Sequence, residues 1–489
     1  MKTEKLKQNV KGYVHQFEDG GLRLLRKGQK GVIHAIFSRF GLVLILLLLQ
    51  VGLLFSIFRW FGNLWPHYFG GSVVVTSAMV IYLLNSKMDN SAKITWMVVV
   101  AIAPVVGIPM FFYVKSNFGH NILRKRLLEL EDQLRGWLPQ SQKAVEQLKA
   151  LEPGAASLAK YLYGRGGGFP VYQNTAMTYF PGGEAKFEEL LRQLETAEEY
   201  IFVEYFIIDE GLMWGKILEV LARKALQGVD VRVMYDGTCE FSTLPRNYPR
   251  LLEKLNIQCK VFSPVQPFVS THYNYRDHRK ILVIDGRVGF TGGVNLADEY
   301  INHIQKHGRW KDAAVMLEGE AVRSLTAQFL QMWGILKEPE YEQFLTRPIP
   351  VPENAKGVAA PYGDCPLDGE RVGEMVYIDL LNRARDYIHI MTPYLILDGE
   401  LETALKFAAE RGVDVHLILP GKPDKQFPYA LAKSHYSALL DSGVKISEWS
   451  PCHPDADLVY FFIKQTKNKA TTTTPVPMMI HLFAVVTSF

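Results

Sequence analysis

The pattern of apolar positions divides the chain into two very different parts. Near the front, three long apolar runs follow one another: Gly41 to Phe58, interrupted only by Gln50, then Tyr68 to Leu84, then Ile94 to Val114. The last two are joined by the short polar loop Asn85 to Lys93. At about 1.5 Å per residue, the first run nearly crosses a hydrocarbon core of roughly 30 Å. The three predict transmembrane helices within residues 41–118, with Pro104, Gly107 and Pro109 kinking the last. The first run starts too far in for a signal peptide and lacks a small-residue cleavage site, so it reads as an anchor. A basic arm, residues 1–40, precedes it. Lys115, Arg124, Lys125, Arg126 and Arg135 follow the last run. Positive flanks favour the cytoplasmic face. Three full spans would put these two flanks on opposite faces, so either one run does not fully cross or one flank is exported.

Beyond a surface helical linker at residues 119–165, the pattern changes to short apolar runs alternating with helix-like stretches. One unit is repeated. Ala197-Glu198-Glu199-Tyr200-Ile201, a helical stretch and Gly228-Val229-Asp230-Val231 match Ala384-Arg385-Asp386-Tyr387-Ile388, a helical stretch and Gly412-Val413-Asp414-Val415. Alternating helix and buried strand predicts α/β layers with largely parallel strands, in two halves at residues 166–338 and 367–451. Residues 339–366, rich in proline and acid, read as a linker or surface excursion.

Within the first half, Tyr275 to Gly286 sets His278 and Lys280 two apart in a β-branched apolar run closed by Asp285-Gly286. That is a strand signal, and side chains two apart share a face at roughly 6.5–7 Å. Seven residues after His278, Asp285 points to the opposite face or into the turn, as an orienting group. Gly292 and Gly293 let backbone N–H groups approach a ligand, and Asn295 adds a neutral donor.

The spacing H-x-K-x4-D-x6-G-G-x-N resembles the signature of the phospholipase D superfamily. The wider match from Asn274 to Gly308-Arg309-Trp310-Lys311-Asp312 is similar to its cardiolipin synthase branch. The resemblance implies two phospholipase D-like halves packed face to face behind an N-terminal helical membrane region. It implies catalytic roles for His278, Lys280 and Asp285, and substrate binding by Asn295, Gly292 and Gly293, with Glu204 as a further candidate for the binding site. It also implies a multi-pass cell-membrane protein with its catalytic part on the cytoplasmic face. Glu204, the one carboxylate in the apolar strand Tyr200 to Ile208, needs a partner if buried. Two readings stand for it: it orients His278 or Lys280, or it forms a structural ion pair elsewhere. Arg309, Lys311 and Asp312 read as a polar rim, with Trp310 at the lipid interface.

In-line displacement at phosphorus needs a nucleophile on one side and a proton donor on the other. The superfamily supplies them from two H-x-K-x4-D motifs, and this chain has one. Where the second is expected, after Trp449-Ser450-Pro451, the sequence reads Cys452-His453-Pro454-Asp455. The tail at residues 452–489 diverges in composition from the preceding half, leaving that half truncated or altered. His453 is a possible stand-in donor, with His416, His435 and His481 as weaker ones. The resemblance implies cardiolipin formation from two phosphatidylglycerols, with release of glycerol, through a phosphohistidine. Two rivals are a hydrolase of the same superfamily and an inactive protein that binds anionic lipid.

Composition adds little to this picture. A formal charge of +4 is too mild to imply a nucleic-acid partner. Four cysteines without C-x-x-C pairing read as reduced thiols. No metal-ligand spacing is present, and no cofactor is implied.

Overall fold

The computed structural model describes residues 65–449 except 89, 116–117, 264–275, 307, 336 and 366, together with 15–16, 22–23 and 52. The run Gly41 to Phe58 and the basic arm therefore lie outside the described residues, apart from five positions. The divergent tail, with His453 and His481, lies wholly outside them.

The chain forms two compact units, one comprising residues 27–122 and 265–274 and the other the remainder. The smaller unit contains helices Trp65–Leu84, Asn90–Ile102 and Pro104–Lys115. The run Ile94 to Val114, expected as one kinked span, is two helices of 13 and 12 residues. Pro104 has no N–H to continue the first helix, but suits the opening turn of the second. At about 1.5 Å per residue, each is shorter than a hydrocarbon core of roughly 30 Å. Among the described residues, no helix is long and apolar enough to cross a membrane. The transmembrane helices expected over 41–118 are therefore not found in the described part of that range. Met79, Leu83, Val100 and Phe111 form a small core, while Val73, Val74, Ile81, Ile94, Val98 and Ile102 are exposed.

The larger unit is mixed α/β. Its first half is built on strands β1 (Thr175–Phe180), β2 (Tyr200–Tyr205), β3 (Asp230–Asp236), β4 (Gln258–Phe262), β5 (Lys280–Ile284), β6 (Val288–Gly292) and β7 (Ala314–Gly319). They make one seven-stranded sheet in the order β1-β7-β6-β5-β2-β3-β4. Only β2-β3 and β3-β4 pair in parallel; the other four pairings are antiparallel. The expectation of largely parallel strands fails here because β5 and β6 form a hairpin through the tight turn Asp285–Arg287, and β7 pairs antiparallel with both β6 and β1. Alternation sorts the side chains: Val203, Tyr205, Leu282 and Ile284 enter one core, and Phe202, Ile281 and Val283 the other.

The second half contains β8 (Tyr387–Met391), β9 (Asp414–Pro420) and β10 (Lys445–Trp449), all parallel. The sequence repeat reappears as register. Tyr200 pairs with Asp230 as Tyr387 pairs with Asp414, and Arg232 pairs with Gln258 as His416 pairs with Lys445. By this correspondence β8 matches β2. Antiparallel β5 lies beside β2, whereas β8 is an edge strand among the described residues.

Residues 339–366 are anchored at both ends, while 346–358 run along the surface. Tyr341, Phe344 and Leu345 enter the core of the first half, and Ala359 bridges Tyr172.

Candidate active site

The site begins where β5 begins. Strand pairing starts at Lys280, so His278 lies in the segment just ahead of the strand, not within it as the sequence pattern suggests. Both residues nevertheless meet one ring, Phe206, which directly follows β2. The His278 and Phe206 ring centroids are 4.7 Å apart, and Lys280 Nζ lies 5.3 Å from the Phe206 centroid. Lys280 Nζ also donates to the His278 carbonyl at 2.5 Å. The imidazole is exposed and the ammonium buried. Loss of solvation, then the charges of Lys280 and Lys425, hold His278 below its ordinary value and in the neutral form. Burial lowers Lys280 to about 7, against the opposing pull of Asp312, Asp277 and Asp236.

Asp312 does not form a surface rim. It is half-buried, and burial raises it to about 6, while Lys280 and Lys186 both favour its charge. Trp310 packs on Tyr300 at 5.1 Å and against the first-half core, which is not the lipid-facing position expected of it. Lys186 was not anticipated. Its Nζ donates to the Tyr205 hydroxyl and the Val294 carbonyl, each at 3.0 Å. Burial lowers it to about 7. The signal was present in the sequence: in helix Gly183–Leu194, Lys186 falls on the stripe of buried Gly183, Phe187, Leu190 and Leu194. A lysine on such a stripe needs an explanation.

Asn295 is part of the scaffold. Its Oδ1 accepts from Ile207 N at 3.0 Å and its Nδ2 donates to the Tyr300 hydroxyl at 2.7 Å. A second amide hydrogen remains for a ligand. Gly292 has φ +143°, and a Cβ on Gly293 would fall 1.8 Å from Asp312 Oδ1. The two glycines therefore admit a backbone turn and a carboxylate.

Asp285 is remote in role from the His278 and Lys280 side chains. It sits at φ +52° at the far end of β5. Its carboxylate accepts from Glu198 N, Glu199 N and Tyr200 N at 2.9, 2.9 and 2.8 Å. Glu204 pairs in register with Ile281, on the sheet face opposite Lys280. It lies 3.7 Å from Arg279, a spacing in keeping with the structural-pair reading. Burial, then the nearby Asp277, raise its carboxyl well above the ordinary range.

Two of the suggested second-half histidines are engaged elsewhere. His416 bonds Ser447 Oγ at 2.8 Å, and His435 pairs with Glu402 at 2.9 Å. Glu374, Asp398 and Glu400 form a carboxylate group with metal-like spacing. Arg371 already binds Glu374 and Asp398, at 2.8 and 3.0 Å.

Comparison with known proteins agrees with the motif. The family described as cardiolipin synthase, PLD-like domain, matches residues 190–333 and 377–462. An uncharacterized protein of Streptococcus mutans is 55% identical over 373 residues, covering 76% of this chain and 80% of that one. A cardiolipin synthase of Geobacillus kaustophilus is 34% identical over 383 residues, covering 77% and 74%. One from Halalkalibacterium halodurans is 31% identical over 428 residues, covering 84% and 82%.

Proposed function

Since the chain belongs to the phospholipase D-like cardiolipin synthase family, we propose that it transfers a phosphatidyl group from one phosphatidylglycerol to the glycerol hydroxyl of a second. The products are cardiolipin and glycerol. The observation that carries this reading is the convergence of a neutral His278 and the Lys280 side chain on Phe206.

In the first step the unprotonated nitrogen of His278 attacks phosphorus, a phosphatidyl–histidine bond forms, and the bond to glycerol oxygen breaks. The departing alkoxide takes a proton from solvent water. In the second step a glycerol hydroxyl of another phosphatidylglycerol attacks the adduct and gives its proton to solvent, the phosphorus–nitrogen bond breaks, and His278 returns neutral. Lys280 and the remaining Asn295 amide hydrogen stabilise charge on the non-bridging oxygens. By analogy with oxyanion-hole donors, each contributes about 3 kcal/mol. Gly292 and Gly293 set the turn that carries Asn295. Asp285 acts through the end of β5, as an anchor of the strand.

The substrates place the reaction at the headgroup plane of a cell membrane, with the catalytic part on the cytoplasmic face. Exposed Val73, Val74, Ile81, Ile94, Val98 and Ile102 support contact with lipid. A multi-pass arrangement belongs to the same proposal.

A second reading is binding of anionic lipid without turnover. It is favoured by the engagement of His416 and His435 away from His278. Isotope-labelled phosphatidylglycerol supplied to the full chain in mixed micelles separates the readings. Cardiolipin plus glycerol, with an acid-labile adduct on His278, supports transfer. Phosphatidic acid alone assigns the chain to hydrolysis. Neither product nor adduct leaves lipid binding.

A further inference from the structure

The His278 imidazole is exposed, so the Phe206 ring covers one side of it without fixing its direction. The residue also lies ahead of β5, outside the strand's own pairing. A nucleophile must nevertheless meet phosphorus in line, and a misplacement of about 1 Å costs on the order of 10²-fold in rate. The backbone around residue 278 therefore needs a hold of its own.

That hold comes from the carboxyl ends of β2, β3 and β4. Register places Tyr205 beside both Tyr235 and Lys280. One residue further along β2, Phe206 N donates to the Arg279 carbonyl at 3.1 Å. One residue further along β3 is Asp236, whose Oδ2 accepts from Asp277 N at 2.9 Å. Its Oδ1 accepts from Thr238 N at 2.8 Å and lies 3.6 Å from an Arg276 guanidinium nitrogen. Arg276 in turn donates to the Ser263 carbonyl, just past β4, at 2.9 Å. The chain is thus tied on both sides of His278. Phe206 holds the side toward β5, and Asp236 holds the side before the nucleophile.

Asp236 and Asp277 are both 0% exposed. A carboxylate is a costly group to bury at a strand end, where an apolar side chain would pack without penalty. Among its donors is the amide of the residue that precedes His278. We propose that Asp236 is a positioning residue for the His278 chemistry: by holding the amide of residue 277, it sets the direction in which the imidazole approaches phosphorus. Being fully buried, it acts through the backbone and not on the lipid. The proposal rests on the transfer reading of this site and adds a residue outside the H-x-K-x4-D motif.

Asp236→Ala in the full chain removes the acceptor and leaves Phe206, Arg276 and the motif in place. Three readings are taken on folded protein. Hydrogen exchange at the Asp277 amide should accelerate by about 10- to 100-fold, the loss of one sheltered bond to a charged acceptor. The His278 ring-proton resonances, displaced in wild type by the Phe206 ring, should move toward open-chain positions. Formation of the His278 adduct at saturating phosphatidylglycerol should slow by about 10²-fold with KM little changed, as expected for lost orientation rather than lost binding. A merely structural Asp236 would lower the folded fraction and leave all three readings at wild-type values per folded molecule; that result overturns the proposal. If the variant does not fold, wild type decides: an Asp277 amide exchanging at the open-chain rate overturns the proposal, and a protected one supports it. Exchange and ring shifts that move in a chain whose wild type makes no cardiolipin keep the hold on His278 and remove the transfer reading. Cardiolipin from wild type with all three readings unmoved in the variant does the reverse.

Discussion

Replacing Asp285 with alanine should unfold the protein more readily while leaving the His278 chemistry intact in whatever remains folded. The carboxylate receives three backbone N–H groups from the segment entering β2, at 2.8–2.9 Å. The Asp285 N–H is returned to Tyr200 O at 3.0 Å. This clasp joins the end of β5 to the start of β2, the two strands that carry the site. Hydrogen bonds to a charged acceptor contribute about 1.5–3 kcal/mol each when sheltered. Two of these three are exposed to water, so a total of about 3 kcal/mol is the reasonable sum. Alanine at φ +52° adds about 1 kcal/mol of backbone strain. Asparagine tolerates that conformation, and its Oδ1 can keep the bonds from Glu199 and Tyr200, so Asp285→Asn should cost about half as much. Urea unfolding followed through Trp214, which is buried in the first-half core, measures both. Hydrogen exchange at Glu198, Glu199 and Tyr200 should accelerate in the alanine variant. An Asp285→Ala protein within about 0.5 kcal/mol of wild type but unable to form the His278 adduct would refute the clasp and make Asp285 a participant in the chemistry.

Phe206→Ala removes the ring packed on one side of the imidazole and lets more water reach it, so the His278 titration midpoint by NMR should rise toward about 6.5. A midpoint that stays put would show that the neighbouring charges, not burial, set it. Glu204 is raised in the folded state, so its favourable contribution is complete below its unfolded value and is lost as pH rises through the folded one. Glu204→Gln should therefore be less sensitive to alkalinity above about pH 4.5 than wild type, measured as unfolding free energy at several pH values. Parallel curves would contradict the assignment. Lys186 is lowered, to about 7, so the native state loses stability as pH falls from its unfolded value of about 10.4 toward 7. Lys186→Met should gain on wild type across that window and hold a constant difference below it. A difference that does not change with pH would place Lys186 in a better-solvated setting than its burial implies.

How much of this was legible depended on how local each feature is. His278 and Lys280 could be read because a period of two is enough to put them on one side. Helical spacing places Lys186 among Gly183, Phe187 and Leu190, but a single lysine in a helix rich in charge has the same pattern as a solvated one. Tyr341, Phe344 and Leu345 had helical spacing too, hidden by the prolines and acids around them. Asp312 was not legible. Its place beside Gly293 depends on β6 and β7 pairing Gly292 with Ala314, which no stretch of sequence announces. The same holds for Glu204, whose sheet face follows only once its pairing with Ile281 is known. The Asp285 clasp joins groups 85–87 residues apart. The count of parallel strands failed for a related reason: strand alternation gives burial but not direction.

The coincidence of register between the halves makes the first half a ruler for the second. It says which flank of Tyr387–Met391 a sixth or seventh strand would occupy, in which direction, and over how many rungs. Among the described residues those rungs carry no partner strand, and an open sheet edge is where extended backbone pairs.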